Sequence, residues 1–191
     1  MPLPPSDFVQ EMVRAFAVND RMNQALLAHL DPLAWRANPA GRGTRTIAAI
    51  FAHVHNLRCK WIRLSAPHIK VPVRLDRTRC TQKQAATALA KSAALCCQLL
   101  EEALTPQSRV PRFVRDGWAR PWHPGPAMLA YMITHEAHHR GQACMIAHQL
   151  GFRLRVAVGA GMWNWERLWK QSGGKALDCV SNTRNETVNH A

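Results

Sequence analysis

The stretch from Met128 to Gly151, MLAYMITHEAHHRGQACMIAHQLG, constrains the fold more than any other part of the chain. A helix advances about 100° per residue, so side chains four apart stand one above the other on the same face. His135 and His139 therefore project together, on the stripe that also carries Met128, Met132, Ile146 and Leu150. His138 points well away from that stripe. Two imidazoles one turn apart on a core-facing surface are costly, because buried ring nitrogens need partners that apolar packing does not supply. A metal ion would satisfy both at once, and would require a third ligand from elsewhere in the chain.

Three further segments share the helical period. Residues 7–30 place Phe8, Met12, Phe16, Leu26 and Leu30 at helical spacing, with Ser6 or Asp7 as the cap and Gln10, Arg14 and Asn23 as polar positions between them. Residues 44–65 place Ile47, Ile50, Val54, Leu57, Trp61 and Leu64 on one face. Residues 81–103 direct Ala85, Leu89, Cys96 and Leu99 inward. A short helix is expected over Met162–Lys170, where Trp165 and Trp169 would cap one end. Proline and glycine punctuate 31–44, while 66–80 and 104–124 read as long basic connections. Gly141, in mid-helix, suggests a neighbour packed against the backbone, since glycine there costs about 1 kcal/mol relative to alanine. Four long amphipathic helices close most simply as an all-α four-helix bundle with one short C-terminal helix and long irregular connections. Residues 1–171 form one domain, and 172–191 lack any apolar period and read as a disordered tail.

Within the second helix, His53 lies between Ile50, Leu57 and Leu64 on the wheel, whereas His55 falls on the far side and should be solvated. His53 is therefore the third ligand to pair with His135 and His139, in a pocket at one end of the bundle. Neutral imidazoles suit a divalent transition ion: zinc or nickel best, with iron and manganese as alternatives. Three protein ligands leave a position open for water or a thiol, which points toward catalysis rather than a closed structural site. Three side chains near the histidines are candidates for supporting chemistry. Glu136 would orient a ligand histidine or lie at the surface, and Arg58 and Arg140 would hold an anionic group.

Other readings compete with this one. His135-Glu136-Ala137-His138-His139 is a literal HExxH, which in a peptidase would make Glu136 the water-activating base. The extended form of that motif needs glycine at 142 and histidine at 145, where Gln142 and Met145 stand. A metal-free polar crossing of helices is the plain alternative. The formal net charge of +13 raises a nucleic-acid partner. The charges are scattered, however, and aromatic residues are not interleaved with them as in RNA-binding surfaces. No apolar run approaches the roughly 18 residues of a membrane span, and MPLPPSDF lacks the pattern of a signal peptide. Six cysteines without framework spacing fit reduced thiols and a cytoplasmic location.

The run from His135 to Gln142 (HEAHHRGQ), preceded by an inward His53 with Arg58 and Trp61, resembles the DinB/YfiT-like superfamily. Phe16–Leu30 is similar to that family's first helix, and Leu150-Gly151 followed by Met162–Glu166 to its closing segment. The resemblance implies a four-helix bundle holding a divalent metal through His53, His135 and His139, and it implies frequent homodimers. It also implies a small-molecule substrate. Relatives include S-transferases that use a low-molecular-weight thiol such as bacillithiol or mycothiol, and a mycothiol-dependent maleylpyruvate isomerase. Others have been described as metal-dependent hydrolases. The connections 66–80 and 104–124 match no part of the pattern and would shape substrate choice.

Overall fold

A computed structural model describes residues 5–39, 44–115 and 120–173. The expected tail falls almost wholly outside the described residues. The described chain is all-helical: α1 (Pro5–His29), α2 (Ile47–Ser65), α3 (Gln82–Leu104), α4 (Pro126–Gln149), α5 (Val156–Met162) and α6 (Trp165–Gln171). Helix ends follow local chemistry. Thr46 accepts from the Ala49 amide at the start of α2. Thr81 and Gln84 form a reciprocal capping box on α3, satisfying two amides that have no partner inside the helix. At the end of α4 the chain turns through Gly151, whose φ of 85° is a left-handed value that glycine adopts without a Cβ clash. The Gly151 amide donates to His148 O and the Phe152 amide to Ala147 O, closing the helix.

Helices α1 and α2 each pack against both α3 and α4, so α1 lies diagonally opposite α2, while α5 and α6 lie against α1. Two apolar clusters fill the bundle. One gathers Val18, Met22, Leu26, Phe51, Val54, Leu89, Ala143 and Ala147. The other gathers Phe16, Trp61, Ile62, Leu99, Phe113, Met128 and Met132. Between them, at mid-height, lies a buried polar layer containing Asn19, Asp20, Asn23, Arg58, Ser92 and Glu136. The four inward positions expected on α3 are all fully buried. Cys59, Cys80, Cys96, Cys97 and Cys144 are free thiols, the first four buried.

Several expectations are corrected. Helix α1 begins before Ser6 and Asp7, which therefore do not cap it. His55 is not solvated; it is fully buried, with Nε2 3.1 Å from the Val73 carbonyl. On the expected face of α2, Ile47, Ile50, Val54 and Trp61 are buried and Leu57 is half-buried, but Leu64 is exposed, and the core face extends to Phe51, His55, Arg58 and Ile62. Asn23 is buried rather than a surface polar residue. Helix α5 was not foreseen, since VAVGAGM is short and carries two glycines. Trp169 stacks under the Arg14 guanidinium, but Trp165 is largely open to solvent and does not cap the bundle. Among the described residues nothing packs on Gly141: a Cβ there would meet no atom within 4 Å.

The two long connections are anchored rather than loose. Asn56 donates to the Leu75 carbonyl and accepts the Leu75 amide, pinning 71–77 along α2. Phe113 and Trp122 exchange backbone hydrogen bonds, and the Ser65 hydroxyl accepts the Val114 amide.

Candidate metal centre

His53 from α2 and His135 and His139 from α4 converge on one point, each offering a ring nitrogen, with all three ligand atoms within 4.8 Å of one another. The ring centroids are 5.4 Å apart for His53 and His135, 4.7 Å for His53 and His139, and 4.5 Å for His135 and His139. The cluster joins α2 to α4, and on α4 it lies next to Glu136 of the polar layer. Trp61 lies edge-on behind His135 at 5.5 Å, closing the inner side. The outer side opens into a cavity of about 870 Å³, lined among others by Thr44, Arg45, Ile50, His138, Gly141, Gln142 and Met145.

The partner of His139 decides that ring's tautomer. Nδ1 of His139 lies 2.7 Å from Oε1 of Gln142, an atom that can only accept, so Nδ1 carries the proton and Nε2 presents its lone pair to the cluster. That Nε2 faces Nε2 of His135 at 3.2 Å. Two ligands of one tetrahedral ion with metal–nitrogen bonds of 2.0–2.1 Å are separated by about 3.3 Å, so this pair already has the required spacing. Burial is the largest cause holding all three rings below the usual histidine range. His53 is pushed down to about 3, with His139, His135, Arg45 and Arg77 adding repulsion. His135 is pushed down to about 4, with His139 and Arg115 contributing. His139 is lowered too, partly offset by its bond to Gln142. Three neutral imidazoles around one point, with no carboxylate among the described cavity residues, form a donor set that fits a borderline divalent cation.

Searched against family models, residues 6–158 match the DinB family. The chain belongs to the DinB family. Comparison with curated proteins and with solved structures returns no significant match. For this DinB chain, the helical fold and a histidine cluster able to hold a metal ion are therefore in hand.

The remaining candidates do not join the cluster. Glu136 is fully buried and turned into the polar layer. Its Oε2 accepts from Asn19 at 2.7 Å, Asn23 at 2.8 Å and Arg58 Nη2 at 2.5 Å, and its Oε1 accepts Arg58 Nε at 2.7 Å. Three donors converge on Oε2 and one on Oε1, which commits the buried carboxylate to the polar layer rather than to the cavity. Glu136 therefore neither orients a ligand histidine nor lies at the surface, and it is not placed to activate water as an HExxH base. Arg58 is also fully buried, its Nη1 donating to Asp20 at 2.8 Å and to the Leu89 carbonyl at 2.9 Å. One guanidinium thus ties α2 to α1, α3 and α4, and it is not available to an anionic ligand. Arg140 Nη1 donates to Asn19 and Asn23, each at 2.9 Å, and closes the same network. His138 is exposed, with its ring 5.1 Å from that of His139, and lines the cavity without joining the ligand set. Sequence reasoning missed Arg45, Arg77 and Gln142. The i,i+3 relation of Gln142 to His139 was a usable signal, whereas the arginines come from loops whose path no periodicity fixes.

The depressed histidines give the metal-free protein a definite response to acid. The unfolded chain takes up protons near pH 6.5, while His53 and His135 in the folded state do so only near 3 and 4. Their contribution to stability is fully present above pH 6.5 and is lost progressively as the pH falls toward the folded values. Asp20 acts in the opposite sense at lower pH, because burial raises its carboxyl above the usual range. Between pH 6.5 and 5, chelator-treated protein is expected to lose thermal stability, and His53→Asn to lose less. A flat melting temperature over that window would contradict the neutral, partly desolvated cluster.

Proposed function

We propose that this chain is a divalent-metal DinB protein that catalyses thiol-dependent S-transfer onto a small electrophile. The observation that carries the reading is the convergence of three neutral imidazoles from two helices on an open cavity that lacks any described carboxylate. His53, His135 and His139 would hold the ion, with zinc or nickel suiting three imidazoles best. A bound ion of this kind lowers the pKa of a thiol or water it contacts and so supplies a nucleophile at neutral pH.

The protein's own residues do the rest. Gln142 fixes the tautomer of His139, so its lone pair is presented to the cluster without rearrangement. Trp61 excludes water from the inner side of His135. The cavity has the dimensions of a small-molecule site. A hydrolase of the same architecture is the second reading. It is less favoured because water attack gains from a positioned general base, and Glu136, the acidic side chain next to the histidines in sequence, is consumed by four hydrogen bonds. A thiol that arrives as thiolate needs no such base.

The test is a metal assay on protein purified without a nickel column, followed by thiol-consumption assays with a panel of small electrophiles. The expected outcome is metal-dependent loss of free thiol with formation of a thioether. Metal-dependent ester cleavage with no thiol requirement would replace the transferase reading with the hydrolase one.

A further inference from the structure

The cavity in front of the histidines carries charge of one sign. Arg45, just before α2, is part of its wall. Arg77, on the connection to α3, brings Nη2 to 3.5 Å from Nδ1 of His53. Both side chains are exposed, and neither has an acidic partner among the described residues. The neighbouring Asp76 is already engaged by Thr78 and Arg79. Arg77 is not placed by chance, since the paired bonds between Asn56 and Leu75 fix the backbone two residues before it. Arg45 and Arg77 both act electrostatically on His53, and Arg45 also on His135 and His139. Arg45 thus lines the cavity directly, and Arg77 touches His53, a residue of the same wall, from a separate segment.

A divalent ion added at the histidines would make the cavity more positive still, with no described carboxylate in the wall to compensate. The missing complement is an anion. A guanidinium fork matches the planar geometry of a carboxylate and binds it through paired hydrogen bonds. Of the basic residues expected to do this, Arg58 is consumed in the core and the half-buried Arg140 turns Nη1 onto Asn19 and Asn23, whereas Arg45 and Arg77 stand at the rim. We infer that Arg45 and Arg77 form an anion subsite at the mouth of the histidine cavity, and that the small molecule handled there carries a carboxylate. The subsite stands on the arginines alone; its use in a reaction rests on the metal-dependent reading above.

The test uses the full chain, stripped with a chelator or reloaded with zinc, and titrated by calorimetry at low ionic strength. The probes are succinate and mercaptosuccinate, with uncharged 2-mercaptoethanol as control. The expected result is saturable succinate binding that the Arg45→Gln, Arg77→Gln double variant weakens by about tenfold or more, in both forms of the protein. Zinc stoichiometry should be unchanged. Because both arginines are exposed, the double variant should retain its helical circular dichroism, and Arg45→Lys with Arg77→Lys should show an intermediate loss. Absence of saturable succinate binding, or a double variant within about twofold of the parent, would overturn the subsite. If zinc fails to bind while arginine-dependent succinate binding persists, the metal reading falls and the subsite stands. Tighter binding of mercaptosuccinate than succinate in the zinc form alone places the carboxylate on the thiol. Equal binding of the two places it on the electrophile.

Discussion

Arg58→Ala is expected to destabilise the protein by about 3–5 kcal/mol, the cost of leaving a buried charge without its partner. In a chain of this size that lowers the melting temperature by roughly 6–20 °C. The effect is large because one guanidinium joins four helices: it sits on α2 and donates to Asp20 on α1, to the Leu89 carbonyl on α3 and to Glu136 on α4. Its charge is held by the same contacts, since Glu136 and Asp20 outweigh the burial that would otherwise favour the neutral form. Glu136→Gln should cost less, because the amide keeps the shape and one oxygen acceptor while Arg58 retains Asp20. Neither variant should alter metal stoichiometry in the fraction that remains folded, since neither side chain touches the histidine cluster. Melting curves and metal analysis of the two variants check this together. The HExxH reading makes a different demand, namely that Glu136→Gln leaves fold and metal intact while abolishing hydrolysis of peptides. That combination would show the carboxylate to be catalytic and would sink the structural account.

The histidine cluster was legible in the sequence, and the polar layer beneath it was not, for a physical reason. His135 and His139 are four residues apart on one helix, so their juxtaposition follows from helix geometry alone. His53 could be matched to them because it fell among apolar residues on its own wheel. Arg58, Glu136, Asp20, Asn19 and Asn23 gave no such signal. Each is a polar residue that a wheel assigns to the surface, and each becomes acceptable in the core only through partners many residues away. The same cause explains His55, whose burial depends on the 71–77 segment folding back along α2. Gly141 shows the converse: its lack of a side chain suggests a neighbour packed against the backbone, and the space instead belongs to the cavity. The helices themselves were legible to within a few residues, apart from α5.

Zinc is expected to raise the stability of the folded protein by about 4 kcal/mol when present at about a thousand times its dissociation constant, provided the unfolded chain does not compete for it. The melting temperature should rise by roughly 8–16 °C. His53 decides whether this happens. His135 and His139 lie on one helix, so an ion held by them alone would bind weakly and link nothing. The third ligand comes from α2, and an ion held by all three bridges α2 and α4 across the open groove. His53→Ala should therefore abolish both the stoichiometric metal and the zinc-induced rise in melting temperature, even though two of the three imidazoles remain. His138→Ala is the internal control. It removes an imidazole from the same helix and the same cavity wall, yet that ring is outside the converging set. Metal content and thermal shift should stay near those of the parent in His138→Ala. If His53→Ala kept its metal as well, or if His138→Ala lost it, the convergence of α2 and α4 on one cation would be the wrong account of why these rings meet.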